Sequence, residues 1–359
     1  MSTSPLAIRE NVPLAPHTTI GLGGAARYYA HCSSDEEIAE ALAHARARGL
    51  RVHLLGGGSN TIFSDRGFDG LVIRIATKGV TYSSRGAKTL VAAAAGEEWD
   101  PVVQSCVARG LGGVECLSGI PGLVGATPIQ NVGAYGQEVA DSILSVTAID
   151  RESLQVVTLS EAECEFGYRA SRFKGRERER FVVTGVTFSL PAQARPSILY
   201  PELRKAVDAS ADLASLPDGA PALAAVRESV LKLRRGKGMV VDAADPHSRS
   251  VGSFFMNPLL SPAETAALNA RCERASGIGS PPTFGAGEKT KIPAAWLVEK
   301  AGFPKGTRRG GVGVSSLHAL ALVNYGGSSR DLLALAAEIE SAVLARFGVR
   351  LQREPVVVE

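Results

Sequence analysis

Residues 118–136 read Ser118-Gly-Ile-Pro-Gly-Leu-Val-Gly-Ala-Thr-Pro-Ile-Gln-Asn-Val-Gly-Ala-Tyr-Gly136. Glycine recurs every few positions, prolines stand at 121 and 128, and no acidic residue interrupts. The run of about 19 residues has neither a helical nor a strand period, and a stretch that long inside a compact domain is usually functional. Its polar content is Ser, Thr, Gln and Asn. That set suits many neutral hydrogen bonds to an anionic, planar cofactor. The two prolines stiffen it and argue against a plain flexible flap.

Two further glycine-rich segments lie upstream. Gly56-Gly-Gly-Ser-Asn60 follows a short apolar run at 51–55. Glycine there lets the backbone turn sharply and approach a ligand, and successive N–H groups can form a nest for a pyrophosphate. An ordinary tight turn is the plainer alternative, and no GxGxxG opens a helix here. His17-Thr-Thr-Ile-Gly-Leu-Gly-Gly24 is by itself only a glycine-rich turn.

The surrounding pattern mixes strands and helices. Residues 27–31, 51–55 and 70–75 read as strands. Ser34 opens a capping box with Glu37, and Ile38, Ala41, Leu42 and Ala45 follow at helical spacing up to Gly49. Further on come a strand at 89–95, a helix over 99–109, a hairpin from 144–150 and 155–160, and a long strand at 180–190. Residues 206–222 show little pattern and read as a surface excursion or linker. Helices follow over 223–235, from Ser261 with Pro262 at its first position, and around 294–301. Over 328–348, Leu332, Leu335, Ala336, Ile339, Val343 and Phe347 share one helical face. The class is α+β.

Bulk properties narrow the choices. At 359 residues the chain exceeds what one core ordinarily serves. A net charge of +3 gives no general attraction to nucleic acid or membrane, so an anionic ligand must be held by local groups. The first ten residues lack the basic and apolar regions of a secretory signal, and no run reaches membrane-spanning length. Five scattered cysteines without a CxxC pair predict reduced thiols in a cytoplasmic protein rather than a disulfide or zinc framework.

Taken together, the three glycine-rich segments resemble one family, the UDP-N-acetylenolpyruvoylglucosamine reductases. The resemblance continues through Phe166-Gly-Tyr-Arg-Ala-Ser-Arg-Phe-Lys174, Gly252-Ser-Phe-Phe-Met-Asn-Pro258 and Arg353-Glu-Pro355, in order and over nearly the whole chain. It implies a vanillyl-alcohol-oxidase-type FAD-binding fold of two subdomains, 1–75 and 76–235, plus a smaller α+β substrate-binding domain, 236–344. The tail 345–359 is expected to return to 76–235. The implied activity is NADPH-dependent reduction of an enolpyruvyl nucleotide-sugar through FAD, in peptidoglycan precursor synthesis. NADPH and the nucleotide-sugar bind in turn.

The resemblance also implies roles for particular residues. Cofactor binding falls to Gly56, Gly57, Gly58, Ser59 and Asn60, and to Ser118, Gly119, Pro121, Gly122, Gly125, Ala126, Gln130, Asn131, Gly133 and Ala134. Hydride addition to the terminal carbon of the double bond builds negative charge on its neighbour and on the conjugated carboxylate. A cation, a second electrophile and a proton donor are therefore needed. Arg169 is the carboxylate cation, since a guanidinium is always charged and binds two oxygens at once; a surface arginine is the plainer reading. Ser253 is the proton donor, made competent by the positive charge of Lys237; a turn or cap serine is the alternative. Glu354 is the second electrophile, protonated when substrate is bound; a solvated chain-end glutamate is the alternative. Asn257, Lys291 and His318 are nucleotide-sugar contacts. Tyr200, which begins Tyr-Pro-Glu-Leu, matches the closing loop of one subclass. Met256 departs from the lysine that many members carry before Asn-Pro.

Two other readings remain at this stage. An oxidase of the same fold often holds its flavin covalently, but His31, His44, His53 and Cys116 lie in no attachment motif. A flavin- or nucleotide-binding protein without catalysis leaves the set of Arg169, Ser253 and Glu354 without purpose. No metal, membrane, nucleic acid or obligatory protein partner is expected.

Overall fold

The computed structural model describes residues 6–274 and 278–359. The chain divides into two compact units, each built from separated stretches. Of the described residues, the first holds 6–12, 26–57 and 69–236; the second holds 13–25, 58–68, 237–274 and 278–359.

The first unit contains two large sheets. Its four-stranded sheet runs in the order Ile8–Pro13, Ala25–Cys32, Phe68–Ile75, Val52–Leu55, and the last two pair in parallel. Helix Asp35–Ala47 covers it with Ile38, Ala41, Leu42 and Ala45, the four residues expected from their spacing. Ser34 caps this helix through the Glu37 N–H at 3.2 Å. The Glu37 carboxylate reaches one residue further back than a capping box requires, to the N–H and hydroxyl of Ser33.

The second sheet of this unit is antiparallel, in the order Val156–Ser160, Ile143–Asp150, Phe181–Pro191, Lys88–Ala94, Val80–Arg85. Helix Trp99–Ala108 buries Trp99, Val102, Val103, Cys106 and Val107. Trp99 meets Phe188 of the central strand at 5.6 Å between rings. These side chains belong to one continuous core with those of the first sheet.

Residues 206–222 are more ordered than their composition indicates. Helix Pro201–Asp208 ends inside this stretch and helix Ala220–Arg235 begins inside it. Leu203 and Val207 pack with Val226 and Val230 over Cys116. Two of these apolar residues per short helix suffice to dock it, and so sparse a pattern is invisible to a periodicity test.

In the second unit the order Ser250–Ser253, Ala321–Asn324, Val312–Val314, Arg308–Arg309 makes the larger sheet. Helix Ser329–Phe347 buries the whole predicted face, capped by Ser328 and ended by Gly348 with φ 70°. Ile20, Leu22 and Ile62 enter this core, although they come from the first seventy residues. Asn324 Nδ2 donates to Ile20 O at 2.9 Å, and Asp65 accepts from the N–H groups of Ser329 and Arg330. A cut after residue 75 therefore misassigns 13–25 and 58–68. The tail also differs from expectation. Strand Val356–Val358 pairs in parallel with Thr61–Phe63, not with any strand of 76–235. Such non-local pairing leaves no local trace in a sequence.

All five cysteines are buried and unbridged. Burial pushes the thiols of Cys32, Cys106 and Cys164 up to about 12, so they stay protonated and unreactive. No helix among the described residues is long and apolar enough to cross a membrane.

One ion pair fixes the glycine-rich loop to the first unit. Arg227 grips both oxygens of Asp100 at 2.6 and 2.8 Å, and the Gly119 N–H donates to Asp100 Oδ1 at 2.6 Å. Burial works against the carboxylate, but Arg227 and the Gly119 N–H outweigh it and hold the acid below its usual range. The stabilisation is thus complete above the unfolded value of about 3.9 and is lost as the pH falls through the folded value. Asp100→Ala strands a buried guanidinium and a loop N–H, and is expected to lower stability by about 3 kcal/mol. Arg227→Met in the same chain should recover part of that loss. Urea unfolding of the double-mutant cycle measures it, and strictly additive losses would contradict the pairing.

Candidate active site

In the first unit the two glycine-rich loops meet. A Cβ built on Gly57 would lie 2.6 Å from the Gly122 Cα, closer than side chains ever come. Gly122 itself has φ 118°, a conformation only glycine adopts readily. Gly56 faces Leu123 and Ala126 at 4.0 Å. From below, Arg74 Nη1 donates to the Gly56 carbonyl. The main chain of the second loop is tied down in turn. Gly122 O accepts from Trp99 N, Val124 N donates to Glu97 O, and Gly125 N donates to Ala95 O, all within 3.0 Å. What remains is a rigid ledge of backbone, shaped without side chains along the contact.

The far half of the loop is held by Asn131, which is 1% exposed. Its amide donates to Glu138 Oε2 at 2.7 Å and Gly167 O at 3.0 Å, and its carbonyl accepts from Ala140 N at 3.1 Å. Arg169 donates to Asn131 O at 3.2 Å and Gly133 O at 2.8 Å. Its φ of 52° is unusual for a side-chain-bearing residue and aims the arginine back at the loop. Ser118, fully buried, spends its hydroxyl on Glu115 O at 2.6 Å. Tyr200 sits just before helix Pro201–Asp208 as its N-cap residue and meets Tyr135 edge-on at 5.6 Å. Burial pushes the Tyr135 phenol up to about 12, so this pair is neutral.

The second unit carries the rest. Gly58 begins its second stretch, with φ 66° and no room for a Cβ beside the His17 carbonyl. Here the segment Ser253–Phe254 lies alongside Arg353–Glu354. Glu354 N donates to Phe254 O at 2.9 Å, Met256 N donates to Gln352 O at 2.9 Å, and Phe255 bridges Arg353. The Asn60 amide donates to Glu354 O at 3.3 Å, and Val356 N donates to Asn60 O. Asn60, Ser253 and Glu354, distant in sequence, are therefore on adjoining backbone. Arg353 between them turns away to Glu340, at 2.6 and 2.9 Å.

Asn257 accepts from Ala294 N at 2.9 Å and so starts helix Ala294–Lys300. Lys291 lies in strand Lys289–Lys291 opposite Leu259, two residues past Asn257. His318 Nδ1 accepts from Leu320 N at 3.0 Å, which leaves the proton on Nε2 and makes that atom a donor. The Leu320 carbonyl in turn accepts from Phe254 N. Lys237 opens the second unit, half-buried and directly before Gly238.

Sequence reasoning passed over Arg74, Asp100 and Arg227. Arg74 had a signal, a lone cation in the apolar run Leu-Val-Ile-Arg-Ile of a central strand. Asp100 had none, because an acid in a helix's first turn is commonplace.

The flavin can be tested against these residues. A ledge of glycine backbone at the C-terminal end of the parallel strand Val52–Leu55 is where α/β sheets bind ligands. Where the two loops cross, the approach of Gly57 to Gly122 admits no side chain, so the ledge there is backbone alone. Gly56, Gly57 and the 118–134 backbone thus fit the group.

Comparisons with known proteins agree. Residues 26–160 match the family described as FAD binding domain, and residues 245–358 match UDP-N-acetylenolpyruvoylglucosamine reductase, C-terminal domain. The reductase of that name from Thermobifida fusca is 47% identical, with 97% of each chain covered. The one from Streptomyces coelicolor is also 47% identical, over 99% of this chain and 91% of its own. A crystal structure of UDP-N-acetylenolpyruvylglucosamine reductase from Thermus caldophilus shares the fold with a TM-score of 0.67, at 24% identity, covering 99% of this chain and all of that one. The fold is the vanillyl-alcohol-oxidase type of FAD-binding fold with an added α+β unit. Nearly full-length identity at this level, with both family regions matched in order, means that the chain belongs to the UDP-N-acetylenolpyruvoylglucosamine reductase family.

Proposed function

We propose that this protein reduces the enolpyruvyl double bond of UDP-N-acetylglucosamine enolpyruvate to give UDP-N-acetylmuramate, using NADPH and FAD, in the cytoplasm. The observation that carries the reading is the backbone pairing of Ser253–Phe254 with Arg353–Glu354, with Asn60 fastened to the Glu354 carbonyl. A hydroxyl and a carboxyl so far apart in the chain have no structural need of each other. A reaction that needs a proton donor beside a carboxylate-polarising acid does need them together.

Bound FAD supplies the chemistry of taking reducing equivalents from NADPH and passing them to the double bond. The chain's residues do the rest. The Ser253 hydroxyl gives its proton to the carbon next to the substrate carboxylate, so one O–H bond breaks as one C–H bond forms. Lys237 lowers the cost of the negative charge left on that oxygen. Arg169 holds the substrate carboxylate, and its own grip on the Asn131 and Gly133 carbonyls fixes the guanidinium beforehand. Glu354, carrying its proton, donates to the same carboxylate. His318, Lys237, Lys291 and Asn257 contact the nucleotide-sugar. Tyr200 closes on the nucleotide, the role that a tyrosine loop of that subclass implies. Its seat against Tyr135 ties the loop's position to the 118–136 ledge.

The reading is tested by visible absorption of the purified protein. The flavin band should bleach on anaerobic NADPH and return on adding the enolpyruvyl nucleotide-sugar. Recovery with oxygen alone would refute the substrate.

Ser253→Ala should leave flavin reduction by NADPH nearly intact and slow reoxidation by substrate about a thousandfold. Equal losses in both half-reactions, followed by stopped flow, would remove Ser253 from its role. Gly57→Val should yield protein with little bound flavin, because its side chain collides with Gly122 and displaces the ledge. The ratio of flavin to protein absorbance reads this directly, and a full complement of FAD would show that the ledge does not hold it.

A further inference from the structure

His247 belongs to none of the groups assigned above, yet both ring nitrogens are engaged. It lies in the short turn Pro246–Ser248, where the Asp245 carboxylate accepts from its N–H at 2.8 Å. Its Nδ1 is 3.0 Å from the Tyr325 hydroxyl and 3.1 Å from Ser315 Oγ. Its Nε2 is 3.1 Å from Ser316 Oγ. The ring meets Tyr325 edge to face at 5.9 Å, and the Arg308 guanidinium lies over that tyrosine at 3.0 Å from its centroid. On its other flank, a Cβ on Gly238 would lie 2.8 Å from the His247 Cβ, and Gly238 has φ 64°. The chain just past Lys237 therefore passes the Cβ of this histidine at a distance only glycine permits.

His247 thus joins three stretches: its Cβ packs beside the first, and its ring bonds the other two. The first carries Lys237 and Gly238. The second is Ser315–Ser316, two residues before His318; Ser315 Oγ also accepts from Leu317 N at 3.1 Å. The third is Tyr325, at the end of strand Ala321–Asn324. A neutral imidazole has one donor and one acceptor nitrogen, and here each has a hydroxyl partner. The ring is spent on holding segments together. Lysine is a point charge on a flexible stem, so its usefulness in the site depends on where its backbone is held. The same applies to the spacing between Lys237 and the Nε2–H of His318.

We propose that His247 is a positioning residue of the nucleotide-sugar site, setting the spacing between Lys237 and His318 and so the affinity for the nucleotide-sugar. This rests on the reading that Lys237 and His318 contact the nucleotide-sugar. The test compares the flavin-loaded enzyme with its His247→Ala, His247→Gln, Tyr325→Phe and Lys237→Ala variants. KM and kcat for the enolpyruvyl nucleotide-sugar are measured alongside the anaerobic rate of flavin reduction by NADPH. His247→Ala should raise KM about tenfold, more than it lowers kcat, and leave the NADPH half-reaction unchanged. His247→Gln, which retains a donor and an acceptor, should recover most of the affinity. Tyr325→Phe keeps the ring and loses one hydroxyl, so its KM should rise about threefold. If His247→Ala fails to fold, Tyr325→Phe and Ser316→Ala carry the same test.

An unchanged KM in His247→Ala beside a raised KM in Lys237→Ala would overturn the proposal while sparing the site. Equal damage to both half-reactions, without rescue by glutamine, would reduce His247 to a fold residue and also overturn it. An unchanged KM in Lys237→Ala would fell the reading of the site, and this proposal with it.

Discussion

The contact between Gly57 and Gly122 is the constraint on which the first unit's site depends. Two backbones lie so close that neither loop can carry a side chain there. Everything around the contact serves to keep it. Asp100 and Arg227 pin Gly119, the main chain at 95–99 pins 122–125, and Arg74 pins Gly56. A loop of this length without regular structure would have a high conformational entropy. Here its entropy is removed by bonds to its own backbone, so the surface it offers is preformed. Preformed donors avoid a reorganisation cost when a ligand arrives.

The second unit solves a different problem. Its catalytic candidates sit on short, irregular strands that would fray alone. Strand Val356–Val358 gains a partner only in Thr61–Phe63, and helix Ser329–Phe347 has its first N–H groups met by Asp65. Ile20, Leu22 and Ile62 supply apolar surface to the same core. Burying these three from distant parts of the chain fastens the segment with Asn60 to the one with Glu354. The register of Glu354 against Phe254 is thereby set by hydrophobic burial elsewhere in the unit.

Much of this was legible in the sequence. Helices Asp35–Ala47 and Ser329–Phe347 bury the residues their period names, because an amphipathic stripe and a cap are local properties. The glycine loops announced themselves because close backbone contact admits almost no other residue. The unit boundaries did not, since 13–25 and 58–68 join the second unit through pairings that span hundreds of residues. Helix Pro201–Asp208 was missed because its buried side consists of Leu203 and Val207 alone. Asp100, Arg227 and His247 were missed for a common reason. Each is an ordinary surface type whose importance comes only from what the fold sets beside it.

The polar residues that the sequence marked as ligand contacts prove to have prior obligations. Asn131 spends its amide on Glu138, Gly167 and Ala140; Asn257 starts a helix; Ser118 closes a turn; the Asn60 amide holds Glu354's carbonyl. A side chain with its donors and acceptors already matched gains little by turning to a ligand, and breaking a buried match costs about 1–3 kcal/mol. These residues act by holding main-chain N–H and C=O groups, and a few charged or acidic side chains, at fixed places. The proposed function accordingly assigns recognition to backbone and to Arg169, Lys237, Ser253, His318 and Glu354. A motif can therefore be rich in asparagine and serine while the chemistry is done by its neighbours.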